Sequence, residues 1–62
     1  MTTMEAFITA DILLTKRGAD GAEERASELL AEAQAHGDAG RAEEWARVRQ
    51  ALEQMVWTDR AA

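Results

Sequence analysis

Large apolar side chains recur at helical spacing in three separate stretches of this chain. At about 100° per residue, each stretch places its apolar residues on one face of a helix. In the first stretch, residues 3–17, that face is large and consists of Met4, Phe7, Ile8, Ile12 and Leu14. In the second, residues 20–36, it is small and consists of Ala22, Ala26, Leu29, Leu30 and Ala33. In the third, residues 38–58, it consists of Trp45, Val48, Leu52, Met55 and Val56.

Two glycine-aspartate junctions separate the three stretches. Asp20 follows Gly18 after one residue, and Asp38 follows Gly37 directly. Glycine tolerates the left-handed backbone that closes a helix, and an aspartate side chain accepts hydrogen bonds from the unpaired N–H groups that open the next one. Each junction therefore combines a stop signal for one helix with a start signal for the next.

The first two predicted helices also begin with the spacing of a capping box. Thr2 precedes Glu5 by three residues, and Asp20 precedes Glu23 by three. Together with the apolar pattern, these signals predict an all-α fold without strands, namely a small three-helix unit with short Gly-Asp connections. We expect residues 1–62 to form a single helical domain.

Three residues depart from the pattern of their own helix and are candidate interaction residues. Asp11 falls inside the apolar face of the first helix, where a carboxylate is costly unless it is paired or hydrogen-bonded. We expect it to have a polar partner, either within the fold or across a subunit interface. Leu13 and Trp57 project away from the apolar faces of their helices. Two large apolar groups left outside suggest a second buried surface, and pairing of two copies is the commonest way to form one.

The composition also favours association. The chain has 62 residues, and nearly half of its 47% hydrophobic share is alanine, so the core is thin. No cysteine is present to provide a disulfide or a thiolate zinc site. We therefore expect a homo-oligomer or a complex with one protein partner.

The net charge of −5 limits the kinds of partner. An acidic chain repels nucleic acid and anionic membranes, so we expect neither as a partner. The arginines of the third stretch share no face and alternate with glutamates; they are Arg41, Arg47, Arg49 and Arg60. The apolar run 12–14 is too short for a signal peptide or a membrane span, which predicts a cytoplasmic protein.

An outward row of carboxylates on the second predicted helix consists of Glu24, Glu28 and Glu32 at successive i,i+4 positions. This row is typical of a solvated face, and the alternative is a docking stripe for a basic partner. A regulator or inhibitor that binds a basic protein surface is therefore a second functional hypothesis.

Groups that could carry catalysis are few. Cys and Tyr are absent, and the chain has one serine, Ser27, and one histidine, His36. Glu32, His36 and Asp38 could offer three ligands to a metal ion around a helix end, although a histidine near a helix C-terminus is already explained by the helix dipole. We therefore predict no enzyme activity, no cofactor and no bound metal, with a small metal-binding protein or enzyme centred on His36 as a further alternative.

The pattern of caps and core positions resembles a family of short uncharacterised alphaproteobacterial helical proteins. It is carried by Glu5-Ala6-Phe7, Ile12-Leu13-Leu14, Gly18-Ala19-Asp20, Gly37-Asp38, Trp45 and Val48. The resemblance implies a small bacterial protein and brings no activity, cofactor or binding residue with it. The sequence thus predicts a non-enzymatic, acidic, helical interaction protein that self-associates.

Overall fold

The protein consists of two helices that pack against each other in a computed structural model. The structure describes the backbone of residues 2–61 and the side chains of residues 2–58. Helix α1 covers Thr3–Ala35 and helix α2 covers Ala39–Ala61. No strand occurs within residues 2–61, so the predicted all-α class is confirmed. The predicted three-helix unit is not confirmed, because the first two predicted helices are merged in α1 across a kink.

The kink in α1 lies at Gly18, whose backbone angles are φ 75° and ψ 174°. This combination is outside both helical regions and is essentially restricted to glycine. Gly18 divides α1 into an N-terminal arm, residues 3–17, and a C-terminal arm, residues 19–35. The predicted start at Asp20 is wrong by a short distance, since Asp20 already lies inside the C-terminal arm rather than before it. In this first turn a carboxylate is still favourable next to the free N–H groups.

The beginning of α1 has the predicted capping box. The Glu5 N–H donates to Thr2 Oγ1 at 3.2 Å, and the Thr2 N–H donates to Glu5 Oε1 at 3.4 Å. Thr2 has the extended backbone of an N-cap residue. The capping side chains therefore fix the first turn at the position that the sequence predicts.

The turn between the helices combines a stop and a start, as predicted. Gly37 has a φ of 69°, its N–H donates to the Gln34 carbonyl at 3.1 Å, and the Asp38 N–H donates to the Ala33 carbonyl at 2.9 Å. These two bonds are the Schellman arrangement that satisfies the last carbonyls of a helix. Asp38 Oδ1 then accepts from the Arg41 N–H at 3.1 Å and so caps α2. A three-residue connection is enough to reverse the chain.

Alanine dominates the core. Eight of the residues with described side chains are buried, and six of these are alanine, contributed by both arms of α1 and by α2; the eight are Ala6, Ala10, Ala22, Ala26, Ala33, Val48, Ala51 and Leu52. Val48 and Leu52 of α2 are the largest fully buried side chains. Half-buried residues surround this core, namely Phe7, Leu13, Leu14, Trp45 and Met55. Because methyl groups fill so little space, α1 and α2 can approach closely.

The N-terminal arm faces the core with a different side from the one predicted. Ala6 and Ala10 are buried, whereas Met4, Ile8 and Ile12 are exposed. At about 100° per residue, the two alanines lie on the opposite side of the helix from these three residues. The prediction that all five large apolar residues of this arm face inward is therefore wrong for three of them.

Candidate interaction surface

Three large apolar residues of the N-terminal arm form a row on its solvent-facing side. Met4 is 73% exposed, Ile8 is 54% exposed and Ile12 is 50% exposed. We name this row the apolar stripe. Its members are spaced i, i+4, i+8, so neighbouring side chains adjoin each other along the helix. A contiguous exposed row of this kind is a candidate interaction site, whereas scattered single apolar residues are normal on a protein surface.

The N-terminal arm carries apolar residues on two opposite sides, and the larger side chains lie on the side that faces solvent. The small residues Ala6 and Ala10 face the core, and the large residues of the apolar stripe face outward. A helix on the surface of a globular protein normally buries its apolar face and carries polar residues on the opposite side. The arm is therefore only half covered in the single chain.

Charged residues border the apolar stripe on both edges. Measured around the helix from Ile8, Glu5 and Lys16 lie about 60–80° to one side and Asp11 lies about 60° to the other. All three are exposed. Thr15 lies within the face, and its hydroxyl donates to the Asp11 carbonyl at 2.9 Å. That bond occupies the donor of Thr15 within its own helix.

The predicted environment of Asp11 is wrong for the single chain. Asp11 is exposed, because the apolar residues on either side of it, Ile8 and Ile12, face outward as well. Its carboxylate is therefore not placed in the core, where a compensating partner would be required. Participation of Asp11 in a subunit interface stays a prediction.

The two apolar residues predicted to project outward have different outcomes. Leu13 is half-buried and packs against the core, so its predicted outward position is wrong. The rotation of the N-terminal arm that exposes Ile12 turns Leu13 inward, since adjacent residues differ by about 100° around a helix. Trp57 near the end of α2 is 74% exposed, which confirms its outward position. Its role in association is not tested by its exposure alone.

The carboxylate row of the C-terminal arm is on the surface. Glu24, Glu28 and Glu32 are all exposed, and Arg25 forms an ion pair with Glu28 at 3.3 Å. An exposed pair of this kind contributes less than about 1 kcal/mol to folding. The row is therefore a solvated face in the single chain, and its use as a docking stripe stays a prediction.

The described arginines of α2 lie beside carboxylates. Arg47 pairs with Glu43 at 3.0 Å, and Arg41 lies 3.9 Å from Asp38. Arg49 borders an open cleft of about 250 Å³ whose other lining residues are Asp20, Glu23, Glu24, Ser27 and Glu53. The fourth arginine of the third stretch, Arg60, lies outside the described side chains.

The candidate metal ligands meet at the turn between the helices. Glu32, His36 and Asp38 line an open cleft of about 170 Å³, together with Leu29, Ala33, Arg41 and Trp45. Among the described residues, no three histidine or carboxylate side chains are arranged so that they could hold a metal ion. Ser27 lines a different cleft from His36, so a nucleophile and a base are not brought together there.

Comparisons of the chain with protein-family models, with curated protein sequences and with solved structures found no match. The resemblance to short alphaproteobacterial helical proteins therefore stays a prediction. Within the described residues, neither helix carries an apolar stretch that could span a bilayer.

The sequence analysis did not identify the apolar stripe as a candidate site. The sizes of the side chains could have indicated that it faces outward. Ala6 and Ala10 stand at i,i+4 spacing opposite Ile8 and Ile12, so the arm has two apolar faces, one small and one large. The other two helical stretches also carry alanine on the faces that meet in the core, and this match favours the small face as the inward one.

Proposed function

We propose that this chain is a non-enzymatic interaction protein that self-associates through the apolar stripe of Met4, Ile8 and Ile12. One observation carries the proposal: the large apolar side chains of the N-terminal arm face solvent while its alanines face the core. In this proposal the three predicted helical segments act as one unit. The C-terminal arm and α2 form the scaffold, and the N-terminal arm presents the stripe.

The apolar stripe is small for a dimer interface. It consists of three side chains, whereas standard stable interfaces bury about 1,200–2,000 Å² in total. We therefore expect a weak, reversible dimer with a dissociation constant in the micromolar range or above.

The absence of an assembled catalytic group among the described residues makes enzyme activity the weaker hypothesis. Ser27 and His36 line separate clefts, and both clefts are open to solvent. Catalytic groups work at positions where a base lies within hydrogen-bonding reach of a nucleophile. The proposal also keeps the expectations drawn from the sequence, namely no cofactor, no nucleic acid and a cytoplasmic location.

Sedimentation equilibrium between about 10 and about 500 µM tests the proposal, since this range spans micromolar dissociation constants. The native chain should approach twice its monomer mass as concentration rises. Ile8→Gln should remain a monomer with unchanged far-ultraviolet circular dichroism, because Ile8 makes little contact with its own core. Ala31→Gln, on the exposed side of the C-terminal arm, is the matched control and should associate like the native chain.

Two results would refute self-association through this surface. The first is a native chain that keeps its monomer mass over the whole range. The second is an Ile8→Gln variant that dimerises as strongly as the native chain, which would move the interface elsewhere, with exposed Trp57 as the next candidate.

A second candidate function is favoured by the exposure of the whole carboxylate row. In it, Glu24, Glu28 and Glu32 bind a basic surface of another protein. Titration with an arginine-rich helical peptide, followed by tryptophan fluorescence, should then show binding that weakens with salt and with the substitution Glu28→Gln. Equal binding by the native chain and this variant would remove the row from consideration.

A further inference from the structure

We propose that two copies pair their N-terminal arms in antiparallel orientation across a two-fold axis, with Glu5 of each copy beside Lys16 of the other. This inference rests on the proposed function, because it specifies the geometry of the same surface. Glu5 and Lys16 are both exposed and lie on the same edge of the apolar stripe, at opposite ends of the arm. A face with a carboxylate at one end and an ammonium group at the other is complementary to a reversed copy of itself.

The charged and apolar positions agree on one axis. In an antiparallel helix pair, the same edge of each helix faces its counterpart in the other copy. A residue that precedes the two-fold axis by some distance meets the residue of the other copy that follows the axis by the same distance. The midpoint of Glu5 and Lys16 is position 10.5, and that of Ile8 and Ile12 is position 10. The two midpoints differ by half a residue, or about 0.75 Å along the helix. One two-fold axis therefore brings Glu5 to Lys16 and Ile8 to Ile12 twice each.

The remaining member of the stripe fits the same arrangement. Met4 and Thr15 both lie on the other side of Ile8 from Glu5, and their midpoint is position 9.5. Met4 of one copy thus packs against Thr15 of the second copy. The Thr15 hydroxyl already donates to the Asp11 carbonyl, which leaves the methyl group of Thr15 for this contact.

A parallel pair brings different charges together. In a parallel pair opposite edges face each other, so the edge that carries Glu5 and Lys16 meets the edge that carries Asp11. Lys16 then lies nearest Asp11 of the second copy, and Glu5 meets no basic residue. The two orientations therefore differ in the role of Asp11, which attracts Lys16 in a parallel pair and faces a second Asp11 in an antiparallel pair.

The antiparallel arrangement also gives Asp11 a role. Asp11 lies near the axis on the edge away from Lys16, so the two Asp11 carboxylates face each other. Like charges on facing positions are mildly repulsive. Asp11 then weakens the dimer and keeps it reversible, whereas a structural role in the core would make its replacement harmful.

The test uses dissociation constants from sedimentation equilibrium of the full chain at low salt, where surface charges are least screened. Lys16→Glu should raise the dissociation constant at least about fivefold, because two attractive pairs become repulsive. Arg41→Glu is the matched control, with the same change in net charge on an exposed side chain of α2, and it should have a smaller effect. Glu5→Lys combined with Lys16→Glu should bind more tightly than either single variant, although Glu5→Lys also removes the capping bond.

Asp11→Asn should change the dissociation constant in the opposite direction to Lys16→Glu. It should lower the dissociation constant by roughly two- to fivefold, the size typical of a surface charge pair. The inference is overturned if the native chain dimerises but Lys16→Glu acts no more strongly than Arg41→Glu, if the double variant is no tighter than the singles, or if Asp11→Asn weakens the dimer. A native chain that never dimerises would instead overturn the proposed function.

Discussion

Replacement of Gly18 by alanine tests whether backbone conformation alone sets the kink in α1. A Cβ atom added at Gly18 would meet nothing within 4 Å, so no neighbouring side chain obstructs it. The cost of the substitution then comes from the backbone angles, φ 75° and ψ 174°. For a residue with a Cβ atom, such a conformation costs on the order of 1–3 kcal/mol.

This magnitude is large for a chain of this size. A loss of 1 kcal/mol lowers the melting temperature of a 60–100-residue domain by about 4–8 °C. Gly18→Ala should therefore lower it by at least about 4 °C, or the arm should change its direction to relieve the strain. D-alanine at the same position favours positive φ, so it should preserve or raise the melting temperature by restricting the unfolded chain. A chain of 62 residues is accessible to chemical synthesis.

Gly40→Ala is the matched control. Gly40 lies in the first turn of α2 without a positive φ, and the nearest atom to an added Cβ is Asp38 Oδ1 at 3.7 Å, an ordinary contact. Alanine at a helical position is more favourable than glycine by up to about 1 kcal/mol. The same chemical change should therefore stabilise the protein at position 40 and destabilise it at position 18.

Thermal unfolding followed by circular dichroism at about 10 µM measures these effects while association is weak. Equal melting temperatures for Gly18→Ala and Gly40→Ala would refute the assignment of a strained backbone at the kink. A lower melting temperature for the D-alanine variant than for the L-alanine variant would refute it independently.

Two further predictions concern the scaffold. Leu52→Ala should lower the free energy of unfolding by about 2–5 kcal/mol, because Leu52 is fully buried and its truncation leaves a cavity in the core; urea unfolding measures this, and a loss below about 1 kcal/mol would contradict the described core. Asp38→Ala should cost about 1 kcal/mol through loss of the bond from the Arg41 N–H, while Asp38→Asn should keep most of it; equal losses in the two variants would exclude a capping role.

The ends of the helices could be predicted because they depend on local chemistry. The capping box of Thr2 and Glu5, the left-handed Gly37 and the cap by Asp38 each involve residues within a few positions of one another. Gly18 also interrupts helical geometry, but the helix resumes at once rather than after a connection. The sequence signal for a break does not distinguish a kink from a loop, because both need a residue that tolerates positive φ.

The orientation of the N-terminal arm could not be predicted from periodicity. Its two apolar faces both repeat at helical spacing, so the pattern alone does not decide which one is inward. Selection of the large face led to the wrong positions for Asp11 and Leu13. The packing against α2 decides the orientation, since Ala6 and Ala10 share one buried cluster with Val48 and Leu52, and small residues let the two helices approach closely. The outward position of Trp57 was predicted correctly, because α2 has a single face of large apolar residues and Trp57 lies off that face.

In most cores, the residues that contribute most to the free energy of folding are the ones that tolerate mutation least. The alanine-rich core of this protein departs from that relation. Each buried methyl group contributes little free energy of transfer from water, so loss of one by mutation to glycine is a modest change. Every larger side chain must displace a neighbour, at a cost of about 1–3 kcal/mol or more. Substitutions over generations should thus be most restricted at the fully buried Ala10, Ala22 and Ala26, where excluded volume rather than hydrophobic free energy sets the limit.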